Sequence, residues 1–596
     1  MSRPAHVFVL ASLAMIASLE ARAAGPAPLP STTAERTRFK ETGSYDEVRA
    51  MCAALADALP TRVRCVGFGT TPEGRPLLAL VAGPADSLDA PAARAARRPV
   101  VLAQGGIHAG EIDGKDAGFI VLKELMVEVM KPSAKRRPLL DDVTFVFIPA
   151  ISPDGHERTS PNNRPNQRGP AVMGFRTTAQ NLNLNRDYMK VDAPEMRALL
   201  GLVNAWDPIL SLDLHVTDGA QFQHDIAVMV TPRVVGPSAL TAAGQALSQA
   251  FMSGLTAAKH LPVDFYPELE VHDDPRSGFA VGVPPPRFSN AYHALRNRLG
   301  VLVEAHSWKP YGARVAATAD TLRIALAEAR DHGAAWREAA DQADAEARAL
   351  GGQAVPLTWK NTAEKTTIAF KGYAYTRLPS AVSGGMMVRY DEKKPEVWQV
   401  PFLPGLEPDV SVVAPRAGYV IPAGFATSVI DRLRAHGIEF VTIDKTATLD
   451  VEVMRVDDAT FGSKPFEGHQ TMVTKAAWQK GRELVPAGSI FVPVGQPLGR
   501  VVVNLMEPWS GDSFAAWGFF NAQLEQKEYM EGYVAEEVAQ QMLKDPAIRQ
   551  AFEERLEKDP AFAASADARL DFFYRRHPSW DARAFRIPVF RVDVAP

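Results

Sequence analysis

Six short runs of Val, Ile and Leu punctuate the chain between about residues 75 and 310: "RPLLALVAG", "RPVVLAQGG", "DVTFVFIPAIS", "DPILSLDLHV", "DIAVMVTP" and "GVLVEAHS". Each is short, apolar and rich in Val, Ile and Leu, which suits strands covered on both faces. Helical stretches such as "KDAGFIVLKELMVEVM" and "PSALTAAGQALSQAFMSGL" lie between several of them. This alternation predicts an α/β fold: a mixed, largely parallel central sheet with helices on both faces. In such sheets ligands collect at the carboxyl ends of strands. His108, Glu111, His215 and Glu304 all sit at or just past the ends of these runs.

The stretch "QGGIHAGEIDG", Gln104 to Gly114, places a histidine and a glutamate three apart among glycines where a buried strand ends. On a helical or turned backbone such residues share a face, so both can reach one ion. His215, in "SLDLHVTDG", offers a third ligand from another strand end. Two histidines and one glutamate, with a fourth position open, form a catalytic zinc set. The competing reading is two satisfied loop histidines and a surface glutamate. Glu304 follows Val301-Leu302-Val303. Partial desolvation there would raise its pKa and suit it to act as a base, although a turn-capping role fits the same position. The turn-rich loop "SPDGHERTSPNNRPNQRGP" and the following "GFRTTAQNLNLNRDYMK" carry Arg164, Arg168, Arg176 and Arg186. Guanidinium forks suit a carboxylate or a developing oxyanion, and they are equally at home in a solvated loop.

With 596 residues, the chain is too long for one compact core, and two or three domains are expected. A formal net charge of -4 and the lack of a long basic run give no electrostatic case for nucleic-acid binding. The start, "MSRPAHVFVLASLAMIASLEARA", reads as a signal peptide over residues 1–23, with cleavage after Ala23. Its apolar part is shorter than a membrane span, so export without a stable anchor is expected, to a periplasmic or secreted location. Export makes a disulfide possible between the two cysteines, Cys52 and Cys65; two separate buried thiols fit the sequence equally well. Residues 24–44 read as a linker and 45–350 as the α/β domain, closed by the Ala-rich helical stretch that ends in "LGG". After about residue 355, short segments punctuated by Pro and Gly predict a β-rich second domain over 351–596. One helix, "GFATSVIDRLRAHG", interrupts it, and residues 523–563 read as helical.

Taken in order, these motifs resemble the zinc carboxypeptidases, peptidase family M14. "TTPEGRPL", "HAGE", "SPDG", "FR", "NLNR", "DLH" and "LVEAHS" follow the family's sequence of motifs across residues 40–330, with Ser152 where the family has Asn. The resemblance implies a bacterial exported member with a C-terminal extension. It implies that His108, Glu111 and His215 bind Zn²⁺ and that Glu304 activates water and passes its proton to the leaving amine. Arg176 would stabilise the oxyanion, and Asn185 and Arg186 would grip the terminal carboxylate of a peptide substrate. Asn183 stands where pancreatic-type members have an Asp that supports a zinc histidine. The substrate-capping tyrosine has no clear counterpart: Tyr292 is the assignment made, with Tyr311 as rival. "VNLMEPWSGDSFAAWGFFN" resembles a feature of the family's bacterial extensions with no chemistry attached to it.

The leading functional expectation is a zinc metallocarboxypeptidase acting on peptides with a free C-terminus. A second keeps the metal but changes the substrate: an amidase or endopeptidase on peptidoglycan stem peptides, or a deacylase of N-acyl amino acids. A third is a non-catalytic binding protein on a peptidase scaffold.

Overall fold

A computed structural model describes residues 29–596, so the expected signal peptide lies outside the described residues. The apolar runs become strands of one eight-stranded sheet. Its members are β1 (Val63–Thr70), β2 (Pro76–Ala82), β3 (Val100–Gly105), β4 (Thr144–Ile148), β5 (Leu210–Thr217), β6 (Ile226–Thr231), β7 (Pro262–Val263) and β9 (Leu299–His306). The spatial order is β1-β2-β4-β3-β5-β9-β6-β7. The centre, β4-β3-β5-β9, is parallel, while β1, β2 and β6 pair antiparallel. Every residue of β3, β4 and β5 is buried, which suits the apolar character of β3 and β4, while β5 alternates leucines with the buried polar residues Ser211, Asp213 and His215.

Helices Tyr45–Ala58, Asp113–Met130, Ser238–Ala257 and Tyr311–Arg348 cover one face, packing Phe119, Leu122, Leu247 and Leu322 against the sheet. Helices Pro194–Trp206 and Ser289–Leu295 cover the other. The expected mixed α/β architecture is the observed one. The segment expected as a linker behaves differently over its described part. Thr32 caps the short helix Thr33–Arg36, Ala34 is fully buried, and Glu35 pairs with Lys123 at 2.6 Å. These residues dock because a capping box and a buried ion pair give them fixed partners.

The C-terminal part builds three further sheets. β10 (Ala354–Asn361) pairs with β13 (Leu406–Val413). The long hairpin β11 (Thr366–Pro379) and β12 (Met386–Leu403) adds β8 (Phe279–Ala280), a strand of the first domain, in parallel to β12. A six-stranded sheet has the order β15-β18-β14-β19-β16-β17, from β14 (Gly418–Ile421), β15 (Val441–Thr442), β16 (Ala447–Phe461), β17 (Met472–Val485), β18 (Ile490–Pro493) and β19 (Arg586–Val592). The interrupting helix spans Ala423–His436 and stops at Gly437, whose φ of 78° is left-handed. The core behind helix Pro194–Trp206 runs without a break into this part, joining Met196 and Leu199 to Tyr419, Leu433 and Val502. No described helix is long and apolar enough to cross a membrane.

Cys52, on helix Tyr45–Ala58, and Cys65, on β1, form a disulfide that ties the first helix to the sheet edge, with Cα atoms 5.3 Å apart. The enclosed loop is short, with a sequence separation of 13. Loss of that cross-link through a Cys52→Ala/Cys65→Ala double substitution should cost about 3 kcal/mol of unfolding free energy, read from denaturant midpoints.

Candidate metal centre and substrate cleft

The centre lies at the carboxyl ends of the parallel strands. β5 and β9 run in a register that pairs His215 with Glu304, so their side chains stand together on one side of the sheet. After β3 the chain turns through Gly106, at φ 64°, and the amide of Glu111 bonds back to the carbonyl of His108 at 2.9 Å. Gly110 is needed for space: a Cβ there would sit 2.6 Å from the carbonyl oxygen of Gly174.

His108 Nδ1 and His215 Nδ1 each lie 3.0 Å from an oxygen of Glu111, and the ligand atoms of all three residues are within 4.8 Å of one another. All three side chains are buried. The outer ring nitrogens are both anchored. His108 Nε2 lies 3.1 Å from Asn183 Oδ1, which also accepts from the Asn185 amide and so is an acceptor; the ring proton therefore sits on Nε2. His215 Nε2 lies 2.9 Å from Asp213 Oδ2. Both Nδ1 atoms are turned toward Glu111: His215 Nδ1 hydrogen-bonds its Oε2 at 3.0 Å, and His108 Nδ1 is buried without a hydrogen bond. Two neutral imidazoles and a carboxylate converging in this way fit a zinc ion.

The charges of His108 and Glu111 agree with that fit, while His215 would have to release a proton on metal uptake. Burial lowers His108 to about 4, so the ring is neutral near pH 7. Burial opposes ionisation of Glu111, but His108 and Arg164 outweigh it and hold the carboxyl well below its usual range. Arg164 Nη2 and Arg176 Nη1 lie 2.9 and 3.3 Å from Glu111 Oε1. Burial also disfavours a charged His215, yet Asp213 and Glu304 raise it well above the ordinary histidine value. Burial, opposed by His215 and reinforced by Glu111 and Asp213, pushes Glu304 up to about 8.

A cavity of about 440 Å³ opens onto these residues. Arg176, Asn185 and Arg186 line it, and the Arg186 guanidinium stacks over Phe288 at 4.4 Å. Burial, together with Arg176 and Arg287, lowers the pKa of Arg186. Apolar side chains of Met229, Val230, Val281, Val283 and Leu406 form much of the wall. Arg233, also in the wall, is neutralised by Asp264 at 2.5 Å.

The tyrosine assignment needs correction. Tyr292 is fully buried away from the cleft, and its hydroxyl pairs with His436 Nδ1 at 2.8 Å. It belongs to helix Ser289–Leu295, whose inward face packs on the accessory part instead of on the cavity. Tyr311 is also buried, bonded to Asp116. The cavity instead contains Tyr266, from the loop after β7, with its hydroxyl 3.4 Å from Thr217 Oγ1. Burial and the charge of Glu304 raise the pKa of this phenol, which is therefore protonated. Sequence reasoning also missed Asp213, although an Asp two residues before His215 on a strand shares its face. Arg164 stood among the arginines of its loop without an assigned partner.

Residues 48–225 match the family model described as zinc carboxypeptidase. Among curated proteins, the chain is 28% identical over 185 residues to carboxypeptidase D of Mus musculus, covering 28% of this chain and 13% of that protein. It is 27% identical over 157 residues to carboxypeptidase B of Astacus astacus (25% and 47%). It is 29% identical over 139 residues to inactive metallocarboxypeptidase ECM14 of Ajellomyces capsulatus strain H143 (23% and 22%). The chain thus spans less than half the length of each of these relatives. A solved metallo-carboxypeptidase from Burkholderia cenocepacia superposes with a TM-score of 0.34 at 19% identity, over 47% of this chain and 69% of that one.

Metal uptake requires both imidazoles to be neutral. Zinc affinity, measured by competition with a chelator, should therefore fall as pH is lowered, by up to roughly tenfold per unit for each proton displaced. Asp213→Ala should weaken zinc binding about 10- to 100-fold at fixed pH by freeing the His215 ring.

Proposed function

We propose that the protein, whose residues 48–225 match the zinc carboxypeptidase model, is an exported metallocarboxypeptidase that removes C-terminal residues from peptides. The observation that carries this reading is the convergence of His108, Glu111, His215 and Glu304 at the mouth of a cavity that also contains Arg176, Asn185 and Arg186. His108, Glu111 and His215 hold the zinc. When bound, zinc supplies Lewis acidity that makes water nucleophilic near neutral pH and polarises a carbonyl.

The side chains do the rest. Arg186 and Asn185 bind the terminal carboxylate, which sets the scissile bond one residue in from the end. Arg176 faces the carbonyl oxygen and stabilises the negative charge that develops there. Glu304 takes a proton from the attacking water as the new C–O bond forms. It delivers that proton to the amide nitrogen as the C–N bond breaks, releasing an amine. Burial raises its pKa above the ordinary carboxyl value, which favours the protonated form that delivers the proton. Tyr266 provides a neutral phenol donor over the bound substrate. The apolar wall, in which Arg233 is already paired with Asp264, favours a bulky apolar C-terminal side chain.

The intact ligand set and base favour catalysis over a binding role. Glu304→Gln should keep zinc and lose turnover by a factor of about 10² or more, read as kcat with metal content measured alongside. Arg186→Ala should raise KM on the order of 30-fold for free-acid peptides and abolish their advantage over amidated ones. A peptide library in both forms, read by mass with and without a chelator, should show chelator-sensitive loss of single apolar residues from the free acids. Internal cuts would instead favour cell-wall peptides as substrates, and zinc binding without cleavage of either form would favour a binding protein.

A further inference from the structure

β16 and β17 of the accessory part are joined by a long loop whose tip is a two-residue hairpin turn. Phe466 and His469 exchange both backbone hydrogen bonds, at 2.8 and 3.0 Å, around Glu467 and Gly468. Glu467 has φ 50° and Gly468 φ 79°, the left-handed pair that such a turn demands. The turn holds Glu467 out from the accessory part toward the first domain. There its Oε2 accepts a hydrogen bond of 2.8 Å from the backbone amide of Asn183.

Asn183 is the residue whose side-chain oxygen holds His108 Nε2 and caps the turn Leu184–Arg186. We propose that Glu467 is a positioning residue of the active site: from the accessory domain it fixes Asn183, and through Asn183 both the His108 ring and the Asn185–Arg186 carboxylate grip. This rests on the metallocarboxypeptidase reading of those residues.

The tip is itself held on both sides of Glu467. Phe466 stacks flat on Trp517, with ring centres 5.7 Å apart and planes 5° apart. His469 stacks on Phe519 at 5.1 Å, and its Nε2 meets Asp192 at 2.6 Å. Trp517 and Phe519 belong to "VNLMEPWSGDSFAAWGFFN". That segment reaches the other side of Arg186 as well. Its Asp512 is buried and accepts from the Arg287 backbone amide at 3.0 Å, with Arg287 Nε 2.7 Å away, and Arg287 precedes the Phe288 on which Arg186 stacks. The motif therefore works as a clamp: one arm seats the Glu467 turn against Asn183, and the other seats Phe288 beneath Arg186.

The test uses the full-length protein and reads zinc affinity by chelator competition, the thermal midpoint, and KM for a free-acid peptide. Glu467→Ala should weaken zinc about tenfold, the lower end of the range for residues that orient a ligand, and should raise KM. Glu467→Gln keeps an acceptor oxygen for the Asn183 amide and should restore both to within about twofold. The midpoints of the two variants should match the wild type, since the turn lies at a partly exposed tip. Glu467→Ala with wild-type zinc affinity, while Asn183→Ala loses it, would overturn the role of Glu467 and leave the metal site standing. The same holds if Gln fails to rescue, or if zinc affinity falls only in step with the midpoint. A His108→Ala variant that keeps its zinc would sink the metal site and this inference together.

Discussion

The register between β5 and β9 is the constraint on which the site depends. It places His215 directly beside Glu304 without any loop having to find the other. A slip of one residue would turn both side chains to the opposite face of the sheet. Full burial of β5 prevents that slip, because Leu210, Leu212 and Leu214 occupy the apolar layer on the helix-covered side. The same alternation that fills the core thus sends Asp213 and His215 to the side where the metal would lie. β3 then contributes His108 and Glu111 from its own end, pinned by tight glycine packing and by Pro149 and Lys115 around Gly105.

Polar burial around the centre is extensive, and several of its atoms, His108 Nδ1, His215 Nε2 and Glu304 Oε2 among them, have no hydrogen-bond partner. Each histidine has an acceptor behind it, and the carboxylate has two arginines beside it. Groups with so few alternative partners have one low-energy arrangement, and that arrangement presents three donors to one point. The asymmetry is informative. A neutral amide faces His108 and a carboxylate faces His215, so the two rings differ in basicity.

Much of this was legible in the sequence, for physical reasons. The α/β architecture followed from short apolar runs, and His108, Glu111, His215 and Glu304 stood out because ionisable residues at the ends of such runs have little structural cause to be there. Asn183 was legible by its place before Asn185 and Arg186. Tyr292 was misread because nothing in its local sequence records which way helix Ser289–Leu295 faces, and that helix turns it into the opposite core. Tyr266 lies in a loop without periodicity, so nothing local marks it. Glu467 was invisible for a different reason: its partner is 284 residues away, and no pattern within either segment records the pairing.

That distance has a consequence in time. β8 has no partner strand until β12 exists, and Arg287 has no counter-ion until Asp512 does. Later chain thus supports the cleft from outside: Leu406 joins its wall, and Asp512 pairs with Arg287 beside Phe288. A ribosome that has released only residues up to about 350 has made His108, Glu111 and His215 but not the segments that back Phe288 and Asn183. Such an arrangement delays completion of the cleft's frame until the chain around Glu467 and Asp512 is in place.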